Sequence, residues 1–176
     1  MNYLKFCSKC KDNCCCLKDD EEGIIFIGIL DAIKIKKKTG KDFSEFLDFS
    51  KLTSSAIKKN IEKSYRKMLL DHRLLRMKKK KNGACVFLNK LGVCSIHNFR
   101  PLICRLYPFD YYPKKGAGFF NEIPECPIQV KYKGTMPLSK SEINRLKKIK
   151  RDMRIDDNFY IKNIKKFAND NKLLSK

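Results

Sequence analysis

Nine cysteines define the chemistry available to this chain. Cys7 and Cys10 form a C-x-x-C pair, and Cys14, Cys15 and Cys16 follow, so five thiols fall within ten residues. Thiols spaced as Cys7 and Cys10 are can turn back onto one ion in zinc and iron–sulfur sites, and redox pairs share that spacing. Crowded thiolates repel one another, so such a group stays protonated, oxidises or binds a cation. Metal is the most economical reading. A second set is dispersed: Cys85, Cys94, Cys104 and Cys126. Each of these alone reads equally well as a small buried hydrophobe. An odd total with three consecutive cysteines does not fit a secreted disulfide scaffold.

The surrounding pattern predicts how these residues are positioned. Residues 1–22 show little preference for helix or strand. Ile24 to Ile27 reads as a short buried strand between Gly23 and Gly28, and Asp31 to Lys38 as a helix closing near Gly40. Phe43, Phe46 and Leu47 make an amphipathic turn, and a helix is expected over 56–70. Arg73 to Lys79 and Ala84 to Leu88 read as the arms of a hairpin about Asn82-Gly83, with Cys85 on its inner arm. Asn89 to Gly92 makes a second turn that brings Cys94 back towards Cys85. Pro101 suits the start of a short helix over Leu102 to Leu106, carrying Cys104. Cys126 lies between two prolines in a stretch, 108–137, that reads as loops with one strand. Ser139 and Glu142 have capping-box spacing and open a helix over 140–152, followed by another over 157–168. No internal repeat is evident.

The length of 176 residues fits one ordinary domain with its own core. A hydrophobic content of 43% argues against disorder despite a formal charge of +21. Residues 1–48 carry nine cations and nine anions, so the remainder holds the entire excess. Of the 40 cations, 32 are lysine, which reads as lysine-rich composition before it reads as polyanion binding, since no nucleic-acid motif accompanies it. The longest apolar run, 24–30, is too short to cross a bilayer, and residues 1–17 lack the apolar core of a signal peptide. The expected location is the cytoplasm, with no membrane association.

Ordered along the chain, these pieces resemble a known family: Cys7-x-x-Cys10 leading to Cys14-Cys15, then Ala84-Cys85-Val86-Phe87-Leu88, Gly92-Val93-Cys94-Ser95-Ile96, and Arg100-Pro101-Leu102-Ile103-Cys104-Arg105-Leu106-Tyr107-Pro108-Phe109. The chain resembles the YkgJ-type cysteine-cluster family, the CxxCxxCC zinc- or iron-chelating domain, over roughly 4–128. The resemblance implies metal chelation, often as an iron–sulfur cluster, by Cys7, Cys10, Cys14, Cys15, Cys85, Cys94, Cys104 and Cys126. A related cassette in some flagellin lysine methylases makes an enzymatic role conceivable. The chain departs from the pattern in three ways. Three residues rather than two precede the cysteine pair, and a third cysteine follows, so Cys16 competes with Cys14 and Cys15 as ligand. His97 stands where the family commonly has Tyr, and is read as a packed imidazole rather than a ligand.

Arg100 and Arg105 are expected to support the centre by hydrogen-bonding sulfurs or nearby carbonyls, in preference to holding an anionic substrate. Eight thiols can furnish two four-thiolate centres, or one cluster beside a structural site. Charge does not discriminate, because tetrathiolate Zn²⁺ and tetrathiolate [4Fe–4S]²⁺ carry the same net charge. The leading expectation is an iron–sulfur protein, with zinc as the alternative cofactor and an unidentified redox or protein partner. An iron–sulfur oxidoreductase or lysine-modifying enzyme ranks second, without a recognisable catalytic motif, and a zinc-stabilised nucleic-acid module third. The expected fold is a small single α+β domain. Residues 1–137 form its cysteine-cluster part, with loops and a hairpin around the metal, and 138–176 a helical extension packed on it.

Overall fold

The computed structural model describes residues 25–51, 66–113, 116–119 and 138–174. The first helix, α1 (Ile29–Thr39), buries Ile29, Ala32 and Ile35 along one face. It closes at Gly40, whose φ of 70° lets its amide reach the Lys36 carbonyl, as a glycine cap does. Asp42 and Glu45 then form a reciprocal capping box that opens α2 (Phe43–Phe46). The chain leaves α2 directly into β1 (Leu47–Lys51), which pairs antiparallel with β2 (Arg73–Met77).

β2 is the centre of this region. Phe26 bridges Arg76 on the opposite side from β1, and Ile27 donates to the Leu75 carbonyl at 3.3 Å. Leu74 and Leu75 are both buried, as expected where both faces of a strand are covered. The strand expected at Ile24 to Ile27 is therefore a single bridge along β2. The main partner of β2 is β1, not the 84–88 arm, which contributes one bridge between Lys79 and Cys85. The amphipathic turn expected at Phe43, Phe46 and Leu47 is α2 with its exit, and Leu-Asp-Phe over 47–49 then alternates apolar and polar, with Leu47 and Phe49 buried, as a strand does. The helix expected over 56–70 lies mostly outside the described residues. Within them it has ended by Lys67, and Leu70 bridges Arg73 across a tight turn.

After a 3₁₀ turn at His97–Phe99 come α3 (Leu102–Leu106), β3 (Phe109–Tyr112) and β4 (Gly116–Phe119), the last two an antiparallel pair. The final element, α4 (Lys140–Asp170), is one helix of 31 residues, not the two expected over 140–152 and 157–168. It opens with the Ser139–Glu142 capping box. No glycine or proline interrupts it, so nothing in its interior breaks the hydrogen-bond ladder.

α4 serves two cores. Near its start, Leu146 and Ile149 pack with Leu106 of α3 and Phe109 of β3. Further along, Tyr160, Ile164 and Ala168 join the larger cluster that includes α1, α2, β1 and β2. Tyr160 and Phe46 are almost fully enclosed there, each worth about 2–3 kcal/mol of apolar burial. The Tyr160 hydroxyl accepts from the Leu75 amide at 3.2 Å, so the polar end of this buried side chain is satisfied. Helices with small antiparallel sheets make this an α+β fold. No helix among the described residues is long and apolar enough to cross a membrane.

Candidate metal centre

Cys85 and Cys94 are presented by the same backbone device used twice. Gly83 donates to Lys80, and nine residues later Gly92 donates to Asn89. Lys80 donates to Ala84, as Asn89 does to Val93. Val86 donates to Lys78, as Ser95 does to Phe87, and Leu88 closes a turn on the Cys85 carbonyl, as His97 does on Cys94. Lys79 bridges Cys85, and Leu88 bridges Cys94. Each cysteine thus follows a tight turn by two residues, and that turn rests on a glycine with φ of 79° (Gly83) or 72° (Gly92). Residues 80–88 and 89–97 are a tandem structural repeat, which the expectation of no internal repeat missed. The readable signal was Gly-Ala-Cys recurring as Gly-Val-Cys nine residues on.

The side chains that stabilise the two units differ. Asn89 Oδ1 accepts from the amides of Leu91 and Val93, whereas Asn82 Oδ1 accepts from Ala84. Lys80 Nζ hydrogen-bonds the Leu88 carbonyl at the junction, and Ser95 Oγ donates to the Phe87 carbonyl. Cys85 is buried and Cys94 half-buried, and both pack on the larger core. A soft thiolate in such a low-dielectric setting suits zinc or an iron–sulfur cluster. Four consecutive lysines, Lys78 to Lys81, precede Cys85 and oppose the negative charge that thiolates would bring.

Cys104 is held differently. It sits half-buried on α3, which has only five residues and no side-chain cap of its own at Pro101. Instead, the Leu102 amide at the helix start donates to Asp31 Oδ2, from α1. At the other end, Arg145 Nη1 of α4 donates to the Arg105 carbonyl at 3.3 Å. An anion at the N-terminus and a cation at the C-terminus satisfy backbone groups that a short helix leaves open. Asp31 is in turn positioned by α4: Asp156 accepts from Leu30 at 3.0 Å and from Asp31 at 3.2 Å, capping α1. Gly28 is required by this contact, since a Cβ there would lie 2.1 Å from Asp156 Oδ2.

These carboxylates are costly to ionise. Burial pushes Asp31 up to about 6, opposed by its bond to Leu102, reinforced by the charge of Asp156, and eased by Lys34 and Arg105. Burial also raises Asp156, against its two amide bonds. Asp157 rises to about 6 through burial and the charge of Asp156, with Lys150 opposing. Asp31, Asp156 and Asp157 line a small cleft with Phe26, Gly28, Leu102, Ile103 and Met153. None of the three was singled out from the sequence as a site residue. A carboxylate that caps a helix more than 70 positions away leaves no local signature.

Arg105 lies near enough to Asp31 to favour its carboxylate, so part of its charge is directed there. His97 is disfavoured as imidazolium by burial first and by Arg100 second. Its amide closes the turn on the Cys94 carbonyl. Among the described residues, no three His, Cys, Asp or Glu side chains gather into a metal-holding group. Cys85 and Cys94 belong to the larger core, and Cys104 to the helix on the smaller one. A centre that includes them takes further donors from elsewhere, and Cys7, Cys10, Cys14, Cys15, Cys16 and Cys126 lie outside the described residues.

Searches of the curated proteins and of the solved structures return no match. A family model does match, over residues 6–127, so it spans the N-terminal cysteines, both tandem turns and α3. On that match the chain belongs to the CxxCxxCC family, described as a putative zinc- or iron-chelating domain.

Proposed function

We propose that the protein chelates an iron–sulfur cluster through thiolates drawn from Cys7, Cys10, Cys14, Cys15, Cys85, Cys94, Cys104 and Cys126. The observation that carries this reading is the tandem presentation of Cys85 and Cys94. A fold that only needed two small apolar side chains there has no use for a repeated turn with two positive-φ glycines. The family's chelating description supports metal in general. An all-sulfur donor set suits an iron–sulfur cluster, and zinc is the alternative.

When bound, a cluster would supply one-electron transfer or sensing, whereas zinc would act as a redox-silent staple. The chain's own contribution is to hold thiols in a dry setting, with Arg100 just before the Cys104 helix and Arg105 within it to oppose thiolate charge. Thiolate ligation of this kind fits a reducing compartment such as the cytoplasm.

Anaerobic purification followed by elemental analysis and absorption spectroscopy tests the reading. Iron and sulfide in comparable amounts are expected, with Cys104→Ala losing metal more severely than Cys16→Ala. A colourless protein holding zinc alone would transfer the site to the structural-zinc reading. Equal metal content in the two variants would overturn the ligand assignment.

A further inference from the structure

The outward face of α4 is a second feature that metal chelation does not use. Between Asn144 and Asn169 the helix exposes Lys147, Lys148, Arg151 and Arg154, then Lys162, Lys165 and Lys166. Its other exposed residues in that span are asparagines, two isoleucines and Phe159. No acidic residue in the span is exposed. Asp156 is buried as the cap of α1, while Asp152 and Asp157 are half-buried. Among the described residues Asp152 forms the acidic contact to the stripe, 3.7 Å from Arg151 Nε.

At 3.6 residues per turn and 1.5 Å per residue these cations fall on one side of the helix, within roughly 120°, and extend over about 28 Å. The apolar face of α4 is already committed to both cores, so the cationic face is not needed for folding. Lysine-rich composition alone would scatter acids and cations over the surface. Here the acids of the helix middle turn inward and the cations outward.

We propose that this face of α4 is a binding surface for nucleic acid, recognised through its phosphates. A duplex carries one negative charge per about 1.7 Å of axis, so a linear stripe of this length faces a matching row of charge. Exposed Asn158 within the stripe, and Asn144 and Asn169 at its ends, add neutral hydrogen-bonding groups, and Phe159, 39% exposed, offers a ring for an unpaired base. An anionic bilayer is less well matched. A helix lying in a membrane surface needs a broad free apolar face, and this one presents only Ile155, Phe159 and Ile161 outside the core.

The test is fluorescence polarisation of the full-length protein with a labelled duplex DNA and a single-stranded RNA, each of about 20 nucleotides, from about 50 to 200 mM salt. Steeply salt-dependent binding is expected. The Lys148→Ser/Arg151→Ser/Arg154→Ser and Lys162→Ser/Lys165→Ser/Lys166→Ser variants should each lose at least about tenfold in affinity. Each should also flatten the logarithmic salt slope by about 2–3. The control Lys37→Ser/Lys38→Ser/Lys90→Ser removes the same charge from exposed lysines elsewhere and should lose less than about threefold. Circular dichroism verifies that every variant is folded. Equal losses from control and stripe would reduce the effect to net charge and overturn the proposal, as would an absence of salt-dependent binding. Tighter binding to phosphatidylserine vesicles than to either nucleic acid would overturn it in favour of a membrane surface.

Discussion

The two regions that carry described cysteines hold them by opposite means. Cys85 and Cys94 depend on bonds within a few residues: paired tight turns, two left-handed glycines and asparagine side chains close by. Cys104 depends on groups far away in sequence, with Asp31 at one end of its helix, Arg145 at the other, and Asp156 and Gly28 behind Asp31. Local geometry survives loosening of the tertiary structure better than a relay across three helices does. The tandem turns therefore make a robust half of a site, and the α3 helix a conditional one.

Breaking the relay at its most crowded point should give the largest effect. Gly28→Ala forces Asp156 away from two amides, and a loss of about 3 kcal/mol in chemical denaturation is expected. In metal-free protein the same variant should speed alkylation of Cys104 several-fold and leave Cys85 unchanged. Equal acceleration at both thiols would erase the distinction between the regions.

The next effect concerns pH. Burial lifts Asp31 from 3.8 to about 6, so the folded protein holds this proton more tightly than the unfolded chain. The resulting stability is complete below the unfolded value and is lost as pH rises through about 6. Between those limits the wild type should lose about 2 kcal/mol relative to Asp31→Asn. Asp157 titrates in the same window and remains in the variant, so the profile should flatten without becoming level. Denaturation midpoints at the two ends of the window measure this, and parallel profiles would show that Asp31 is not the buried acid described here.

Smaller effects test the equivalence of the two turns. Gly83→Ala and Gly92→Ala each place a side chain at positive φ and should each cost about 1 kcal/mol. Unequal losses would mean that the repeat is one of appearance only. The smallest effect is expected for Arg145→Leu, which removes one hydrogen bond from the end of α3 and should cost at most about 1 kcal/mol, read from the thermal midpoint.

The same contrast explains which features were legible beforehand. The Gly40 stop of α1, the turn at Asn89 to Gly92, the short helix after Pro101 and the Ser139 capping box all follow from residues beside them. From the sequence, a second helix is expected to start at 157. In the fold, Asp156 caps a different helix, and α4 runs through without a break. The pairing of β1 with β2 spans a long insertion and has no turn signal to announce it. Of the candidate ligands, Cys85, Cys94 and Cys104 were legible from residue type and family pattern, but the contacts that hold them were not.

By itself the sequence determined the thiol inventory, the uneven charge, the glycine-bearing turns and the family. Each of these is a property of residue types at short spacing, where backbone sterics and nearest-neighbour hydrogen bonds decide. Only the tertiary structure decided that one long helix joins two cores, turns its acids inward to cap α1 and shape the cleft, and leaves a stripe of cations facing solvent. Those outcomes depend on desolvation and on partners distant along the chain, and both come into being only when the elements pack.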